Sequence, residues 1–369
     1  MNVAIVHDYL NQMGGAERVV AALHEIFPEA PIFTSIVDRD VLWPELASAD
    51  IRPSWMQNLP GLKKHFKKYV PFYPWAIESL PLREYDLLIS SSSAFAKGAM
   101  KGPKALHICY CYTPMRFVWD YKNYVEKEDL NALTLRILPV LIAYLRHWDM
   151  KTKERPDYYI AISSVVRERV KKVYGVNAEV IFPPVDIKKF RIQTHVDNFY
   201  LIVSRLNAYK KIDLAVEAFN LLGLPLKIIG SGPFLKTLKR MARPNISFLG
   251  RLDDKEVADY YALCKALIFP GEEDFGIVPL EANAAGRPVI AFHGGGALDT
   301  VVEGLNGLFF LEGRAESLVE AVKSFENGKY DFQPMSIRAH ASCFDKEVFK
   351  NRIKKYVSDK YTEFQLRRP

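Results

Sequence analysis

Several features that would assign a function at once are missing from this sequence. The 369 residues include four cysteines, Cys109, Cys111, Cys264 and Cys343, and no pair has the spacing of a zinc site. This usage predicts a reducing compartment and buried, apolar cysteine side chains. The sequence contains no Gly-x-Ser-x-Gly turn, no His-Glu-x-x-His pair and no phosphate loop ending in Gly-Lys-Ser/Thr. Serine hydrolases, zinc proteases and P-loop enzymes are therefore disfavoured.

Long apolar runs are also missing. The run from Ile137 to Leu145 is interrupted by Pro139 and flanked by arginines, whereas a membrane span needs about 20 apolar residues. Residues Met1 to Tyr9 have no basic leader and are expected to form a strand rather than a signal peptide. A composition of 49% hydrophobic and 25% charged residues is typical of a soluble globular protein. The length predicts two domains.

Apolar strand-like runs alternate with helical periodicity in both halves of the chain. This alternation predicts two doubly wound, mostly parallel α/β domains. The prolines of Phe182-Pro-Pro-Val-Asp186 predict a linker, and a last helix is expected over Lys346–Tyr361. The predicted strands of the first half include Val3–Val6, Leu87–Ile89 and Leu106–Tyr110. Those of the second half are Tyr200–Val203, Leu226–Ile229, Ile246–Phe248, Ala266–Phe269 and Pro288–Phe292.

The net charge of +7 has one local source in residues 62–75, which combine four lysines with five aromatic residues. Such a mixture suits an anionic bilayer surface, with lysines at the head groups and aromatic rings at the interface. It also suits nucleic acid, but no recognised nucleic-acid module accompanies it. A solvated helix that leads into a packed aromatic loop is the third interpretation. We expect membrane contact through Lys63, Lys64, Lys67 and Lys68, with Phe66, Phe72, Tyr73 and Trp75 adding apolar burial.

The sharpest motif is two glutamates with seven residues between them, Glu273 and Glu281, directly after a predicted strand. Pro279 suits the first turn of a helix, so we expect the helix to begin near Phe275 and Gly276. Backbone N–H groups at that end are suited to binding an anion. One carboxylate is then expected to accept hydrogen bonds from ribose hydroxyls, and the other to accept hydrogen bonds from hydroxyls of the sugar. A solvated acidic loop before an ordinary helix is the alternative.

Cations and glycines follow other predicted strands. Arg205 and Lys210 come after the first strand of the second half, where they suit a diphosphate, although a solvated loop fits equally well. Glycine loops occur at Gly14-Gly15, Gly230-Ser-Gly232 and Gly294-Gly-Gly296, where backbone can approach a ligand or simply turn. The Asp38-Arg39-Asp40 spacing resembles a metal-binding pair but has no further acidic ligand beside it, so we expect no metal site.

Taken together, these motifs resemble family 4 retaining glycosyltransferases of the GT-B fold, over most of the chain. The segments that carry the resemblance are the Glu273/Glu281 pair, Arg205 with Lys210, Gly14-Gly15 and the turn from Gly294. Within that family the sequence is most similar to bacterial mannosyltransferases of O-antigen and exopolysaccharide synthesis. That similarity rests on His7-Asp-Tyr, Gly-Gly-Ala-Glu17, Tyr85 to Gly98, Tyr112 to Asp120 and Val203 to Leu206.

The resemblance implies a fold and a division of labour. Two Rossmann-like domains should face a central cleft: residues 1–183, completed by a C-terminal helix at 350–369 that crosses back, bind the acceptor, and residues 184–349 bind the nucleotide-sugar. Arg205, Lys210 and Glu273 are expected to be catalytic, without a metal or other cofactor. The expected donor contacts are Gly14, Gly15, Gly230, Gly232, Arg251, Phe275, Gly276, Ile277, Val278 and Glu281. The expected acceptor-side residues are His7, Asp8, Tyr112, Arg116 and Asp120.

The resemblance also implies partners and a location. The expected activity is transfer of a hexose, mannose from GDP-mannose, to a saccharide or polyprenyl-diphosphate-linked acceptor at the cytoplasmic face of the inner membrane. Two positions depart from relatives: Tyr112 stands where a histidine is common, and Asp299 where a glutamate is usual. The alternatives are a UDP-, ADP- or dTDP-sugar donor, a non-catalytic nucleotide-sugar-binding subunit, or an epimerase or phosphorylase with this fold. The sequence leaves the oligomeric state open.

Overall fold

The structure is a computed structural model that describes residues 1–120 and 132–367, without the side chains of residues 63, 64 and 132–135. The chain divides into two compact units. The first comprises Met1–Pro184 and Phe349–Pro369, and the second comprises Val185–Val348. Each unit has its own parallel sheet covered by helices, as the alternation of apolar strands with amphipathic helices predicts.

The first unit is built on a seven-stranded parallel sheet in the order β3-β2-β1-β4-β5-β6-β7. Since the order reverses between β1 and β4, the loops after these two strands diverge to opposite faces of the sheet. The strands are β1 Val3–His7, β2 Ile32–Thr34, β3 Ile51–Pro53, β4 Leu87–Ser92, β5 Leu106–Cys111, β6 Tyr158–Ala161 and β7 Ala178–Val180. Its helices are α1 Gly15–Ile26, α2 Leu62–His65, α3 Tyr73–Glu78, α4 Arg116–Trp119, α5 Ala132–Thr152 and α6 Ser164–Tyr174.

The second unit repeats this winding in a six-stranded parallel sheet, in the order β10-β9-β8-β11-β12-β13, with the reversal between β8 and β11. The strands are β8 Tyr200–Val203, β9 Leu226–Ile229, β10 Ile246–Gly250, β11 Leu267–Phe269, β12 Val289–Phe292 and β13 Gly307–Phe310. The helices are α7 Ile212–Leu222, α8 Leu235–Met241, α9 Asp254–Leu263, α10 Ile277–Ala284, α11 Ala297–Thr300, α12 Ala315–Glu326 and α13 Pro334–Ala341. A last helix, α14 Lys346–Leu366, starts in this unit and belongs to the first unit from Phe349 onward.

The last helix, α14, returns the chain to the first unit. The ring of Phe349 meets Tyr110 edge-on, with centroids 5.8 Å apart, and Lys350 pairs with Glu25 at 3.1 Å. Farther along, Lys360 lies over the ring of Tyr158. These contacts hold α14 on this unit as far as Lys360. The helix continues to Leu366, beyond the predicted end at Tyr361.

Two other expectations need correction. β4 continues through Ser90 and Ser91 to Ser92 instead of ending at Ile89, because hydrogen-bonded neighbours on both sides, β1 and β5, extend the ladder past the apolar run. Of the four cysteines, Cys343 is exposed and the other three are buried. No helix among the described residues has both the length and the apolar character needed to cross a bilayer.

The basic and aromatic segment 62–75 is only partly exposed. Tyr73 is buried and stacks on Phe95 at 5.0 Å, and Phe66 packs against the same core cluster. Phe72 and Trp75 are 45% and 62% exposed. The expectation that all four aromatic side chains are available to a membrane is therefore wrong for Tyr73, whose side chain is part of the core of the unit.

A buried ion pair and its hydrogen-bond partners tie four elements of the first unit together: the turn after β4, α4, α5 and α6. Lys97, in the turn after β4, lies 3.1 Å from the carboxylate of Asp149 on α5, and both side chains are almost fully inaccessible. The same carboxylate accepts hydrogen bonds from Trp119 at 2.7 Å and from the hydroxyl of Tyr174 at 2.9 Å. The network is fully partnered, which is the condition under which a buried charge is tolerated.

We predict that Asp149→Ala destabilises the first unit by about 3–5 kcal/mol, because it leaves the Lys97 ammonium buried without its counter-charge. All five tryptophans lie in this unit, so tryptophan fluorescence during urea unfolding reports on it alone. Asp50→Ala is the matched control, since it removes the partner of Arg52 in an exposed pair and should cost less than about 1 kcal/mol. Equal losses in the two variants would contradict the assigned role of Asp149.

Candidate functional site

The candidate site of the second unit lies where β8 and β11 are neighbours. Ligands of doubly wound sheets bind outside the carboxyl ends of the strands at the point of reversal. The loop after β8 carries Arg205 and Lys210, and the loop after β11 carries Glu273. The sequence therefore delivers two cations and a carboxylate to the one place in this sheet where adjoining loops diverge.

Lys210 and Glu273 meet across these loops. The Lys210 ammonium lies 2.5 Å from a carboxylate oxygen of Glu273, and both side chains are partly buried. Lys210 ends the short 3-10 turn Ala208–Lys210, and Lys211 follows with a positive φ of 55° before α7 begins. Arg205 is exposed on the same loop, and its backbone carbonyl accepts a hydrogen bond from Asn207. Partial burial strengthens the Lys210–Glu273 interaction relative to an exposed pair.

The helix after Glu273 begins as predicted. Gly276 is the N-cap of α10 with a φ of 86°, a left-handed conformation that favours glycine, and Pro279 lies in the first turn. No side chain caps this end, so its backbone N–H groups remain donors suited to an anion. Phe275 is buried, whereas Ile277 and Val278 are half-buried at the start of the helix.

Glu281 is less accessible than the sequence implies. Its side chain is on α10 and the residue is 7% exposed; the hydroxyl of Tyr261, on α9, donates to its carboxylate at 2.9 Å. Sequence reasoning missed Tyr261, and nothing in the spacing of the two residues, which are twenty apart, signals the contact. Tyr261 fixes the orientation of the Glu281 carboxylate.

The glycine loops hold the site loops together by close backbone packing. A side chain on Gly230, whose φ is 136°, would overlap the carbonyl of Ser204, and one on Gly232 would overlap that of Leu206. Likewise the N–H of Gly296 donates to the Glu273 carbonyl at 2.8 Å. These glycines therefore set the shape of the loops that carry Arg205 and Glu273. Arg251 is exposed just after β10, two strands away from β8 on the same sheet edge.

In the first unit, Asp8 organises the sheet edge at β1 and β4. Its carboxylate accepts from the backbone N–H groups of Ser93, Ala94, Phe95 and Ala96 and from the Ser93 hydroxyl, at 2.6–3.0 Å. Five hydrogen bonds to one carboxylate fix the loop after β4. Asp8 therefore shapes this edge, whatever else it binds.

His7 and Tyr112 join a buried polar cluster beside Asp8. The Nδ1 of His7 lies 3.0 Å from the Ser91 carbonyl, which can only accept, so Nδ1 carries the proton. Ser91 bonds the Tyr112 hydroxyl at 2.8 Å, and that hydroxyl donates to the Ala16 carbonyl. Burial raises the pKa of Tyr112 well above its usual value, so it is a neutral hydrogen-bonding group here.

Glu17 is the residue of this cluster whose role the sequence did not indicate. It is 2% exposed and lies 3.9 Å from the Nε2 of His7. A Cβ on Gly14, the N-cap of α1, would overlap its carboxylate, so Gly14 makes room for Glu17, while Gly15 is the first residue of the helix. The signal available in the sequence was its position two residues after the double glycine.

The remaining candidates lie elsewhere. Arg116 begins the short helix α4, and Asp120 follows its end with an N–H that donates to the Arg116 carbonyl. His107 is fully buried on β5 beside Ser90, and burial lowers its pKa to about 3, so it is a neutral core residue. Asp38 accepts from the N–H of Asp40 and caps a 3-10 turn. Across residues 1–120 and 132–367, no three His, Cys, Asp or Glu side chains are grouped as metal ligands would be.

Comparison with known sequences finds a family match for the second unit. Residues 186–341, nearly all of the second unit, match the family described as glycosyl transferases group 1. O-antigen chain mannosyltransferase C of Escherichia coli is 30% identical over 145 residues, which are 37% of this chain and 39% of that protein. A GDP-mannose-dependent alpha-(1-6)-phosphatidylinositol monomannoside mannosyltransferase of Mycobacterium tuberculosis is 31% identical over 211 residues, 48% and 54% of the two chains. The matched part thus spans about half, or less, of the length of these relatives.

Solved structures extend the likeness to the whole chain. Anabaena Alr3699/HepE in complex with UDP has a TM-score of 0.74 at 17% identity, over 97% of this chain and 100% of its own. Sucrose-phosphate synthase from Thermosynechococcus elongatus has a TM-score of 0.73 at 16% identity, over 98% and 100%. At these identities the likeness concerns the fold alone. It confirms the predicted fold class, two Rossmann-like α/β domains of the GT-B type.

We predict that Gly230→Ala destabilises the second unit by at least about 2 kcal/mol, because the new methyl group meets backbone that cannot rotate away. Gly223→Ala is the matched control: its φ is also positive, at 70°, but the space around it is open, so it should cost only about 1 kcal/mol. Calorimetric unfolding of both variants measures the difference. Indistinguishable losses would show that close packing of the loops after β8 and β9 is not required.

Proposed function

We propose that this protein is a retaining, metal-independent glycosyltransferase that moves a hexose from a nucleotide-sugar to a saccharide or lipid-diphosphate-linked saccharide, in the synthesis of a bacterial surface polysaccharide. The observation that carries the proposal is the Lys210–Glu273 pair at the point of reversal in the second unit. A cation and a carboxylate within 2.5 Å of each other, beside an uncapped helix N-terminus, suit a ligand that presents both phosphate and sugar hydroxyls.

In this proposal the donor diphosphate takes Glu273's place as the partner of Lys210. Arg205 and Lys210 neutralise the charge that develops on the leaving diphosphate, and the N-terminus of α10 at Gly276 and Ile277 adds backbone donors. Glu273, released from Lys210, accepts hydrogen bonds from the donor sugar. Groups aimed at developing charge in a partly buried site act more strongly than in water. The departing phosphate helps to deprotonate the acceptor on the same face of the sugar, which retains its configuration.

Glu281 is proposed to bind the ribose. A carboxylate has about four acceptor positions, so the bond from Tyr261 is compatible with ribose hydroxyls as further donors. Gly230, Gly232, Arg251, Phe275 and Val278 complete the proposed donor site of the second unit. A contact of Gly14 and Gly15 with the donor stays a prediction from the sequence. His7, Asp8, Tyr112, Arg116 and Asp120 are the proposed acceptor-side residues. Asp8 and Tyr112 are already hydrogen-bonded to backbone groups, so we propose that they act indirectly, through the shape of the sheet edge.

GDP-mannose is the proposed donor. The names of several relatives support it, among them the O-antigen and GDP-mannose-dependent mannosyltransferases. A UDP-sugar is the second candidate, since Anabaena Alr3699/HepE is a fold neighbour crystallised with UDP. We further propose that the protein acts in the cytoplasm at the inner membrane surface, which residues 62–75 contact. Within residues 62–75, Lys67 and Lys68 are exposed, and the side chains of Lys63 and Lys64 lie outside the described part of the structure.

We predict that GDP stabilises the protein more than UDP, ADP or dTDP does in a thermal-shift panel. A ligand at 100 times its Kd adds about 2.7 kcal/mol to the stability of the folded state. Glu281→Ala should remove most of this gain because the ribose loses its acceptor, whereas Glu272→Ala, an exposed neighbour of the site, should keep it. A larger thermal shift with UDP than with GDP would identify the donor as a UDP-sugar instead. No shift with any nucleotide would count against the proposed function itself.

We predict that Arg205→Ala and Lys210→Ala each lower kcat about 100- to 1,000-fold, with a smaller effect on donor binding, because their cations act on charge that develops in the transition state. Lys255→Ala, which removes an exposed lysine of the same unit, should leave kcat unchanged. The assay uses the donor found by the thermal-shift panel, with product formation followed by mass spectrometry. Wild-type kcat in both cation variants would overturn their roles.

Wild-type activity should persist in EDTA, because the proposed mechanism uses no metal ion. A loss of activity that manganese or magnesium restores would overturn the metal-independent mechanism.

A further inference from the structure

The helix α5 has an outward face that is apolar. Ile137, Val140 and Tyr144 are between 46% and 72% exposed, and their spacing of three and four residues places them on one side of the helix. Ile142, Leu145 and Trp148 of the same helix are buried in the core cluster of the first unit. An apolar stripe on the solvent side of a helix whose core side is already packed is characteristic of a binding surface.

The exposed charges that α5 itself carries beside this stripe all have the same sign. Asp149 is the single acidic residue in Ala132–Thr152, and it is buried against Lys97. Arg136, Arg146, His147 and Lys151 are exposed along the same helix. Arg146 also donates to the Val118 carbonyl and lies over the ring of Trp119, which holds its stem against the protein. A partner for this helix must therefore tolerate cations beside an apolar stripe.

The stripe lies in the same helical layer as the exposed part of segment 62–75. Buried residues of α3 and of α5 belong to one cluster over the same sheet. Glu78, at the end of α3, accepts hydrogen bonds from Trp148 of α5 at 2.8 Å and from Arg155 at 2.6 Å. On the outer side of α3, Trp75 and Phe72 surround the ring of Trp55, with centroids 4.8 and 6.4 Å from it.

We propose that the outer face of α5 and the exposed aromatic side chains of α3 form one docking surface for an anionic lipid bilayer. Ile137, Val140 and Tyr144 enter the interface between head groups and acyl chains, level with Phe72 and Trp75, while the lysines and arginines contact lipid phosphates. This inference rests on the proposed membrane contact of segment 62–75 and extends it to a second element. Charge complementarity favours the bilayer over a second copy of this chain, because a copy would bring another cationic helix face.

The first test is co-sedimentation of the full chain with vesicles of phosphatidylglycerol and phosphatidylcholine. The triple variant Ile137→Gln, Val140→Gln, Tyr144→Gln keeps charge and helix propensity, and it should lower the partition coefficient about tenfold or more. The matched control, Leu221→Gln, Leu311→Gln, Met335→Gln, removes exposed apolar side chains of the second unit and should bind as wild type. Thermal unfolding and light scattering of each variant exclude misfolding and altered oligomeric state as causes.

Salt separates this inference from the membrane proposal on which it rests. Lys67→Gln with Lys68→Gln weakens the Coulomb attraction to the bilayer. The α5 variant instead weakens the apolar contribution to binding, which salt does not screen. At ~0.5 M salt the wild type should therefore retain binding that the α5 variant lacks. Loss in the lysine variant with full binding by the α5 variant would overturn the α5 surface and leave membrane contact standing. No binding by the wild type would overturn both.

A second test places a probe on the stripe itself. Val140→Cys in a Cys343→Ser background, labelled with an environment-sensitive dye, should show a blue shift and increased emission when anionic vesicles are added; the other three cysteines are buried. Leu311→Cys in the same background, 70% exposed in the second unit, should show neither change. An unchanged Val140 probe on vesicles that bind the protein would overturn the proposal. So would a change that depends on protein concentration without vesicles, since that would identify a second copy as the occupant.

Discussion

The neighbouring positions of β8 and β11 are the constraint on which the rest of the candidate site depends. These strands are 64 residues apart from the end of one to the start of the next, Val203 to Leu267, yet they pair directly at Leu201 and Leu267. Since both are parallel, their carboxyl ends meet at one edge and their loops leave in different directions. Lys210 and Glu273 can pair only because of this register. A cation and an acid that are remote in sequence thus become one site.

Around that constraint, glycine allows backbone to pack on backbone. Gly230 and Gly232 bring the turn after β9 against Ser204 and Leu206, and Gly296 brings the turn after β12 against Glu273. The loops that present charge are therefore held by neighbouring loops and not by their own hydrogen bonds alone. Such support is needed where charged groups must keep their orientation in the absence of a ligand. The glycines act on the chemistry through the placement of Arg205 and Glu273.

Much of the fold was accessible from the sequence because parallel strands are buried on both faces and leave continuous apolar runs. β8 has the predicted bounds, Tyr200–Val203, and α10 begins at Ile277, close to the expected start near Phe275 and Gly276. The prediction from the apolar pattern failed where strand pairing outweighs residue type. The serines from Ser90 to Ser92 are polar, but they continue β4 because they pair with β1 and β5 on either side. Side-chain partners were not predictable either. Nothing local indicates that Tyr261 bonds Glu281, or that the Asp8 carboxylate is occupied by four successive N–H groups.

The two units have the same winding but different electrostatics at the edge where the strand order reverses. Both sheets reverse after their first strand, and in both the loop that follows this strand carries the distinctive residues. In the second unit those residues are charged, partly accessible and paired across the reversal, so an entering anion has an ion pair to exchange. In the described part of the first unit the equivalent edge carries no exposed cation of this kind: His7 donates to a carbonyl, Tyr112 stays protonated and Asp8 is saturated by a loop. Its remaining carboxylate, Glu17, is buried and keeps one oxygen without a hydrogen-bond partner. An edge of that kind offers little to a diphosphate but is rigid, and rigidity with few free charges is what recognition of uncharged hydroxyl groups requires. The proposed assignment of donor phosphate to the second unit and of a saccharide to the first therefore agrees with the electrostatics of the two edges as well as with their sequence motifs.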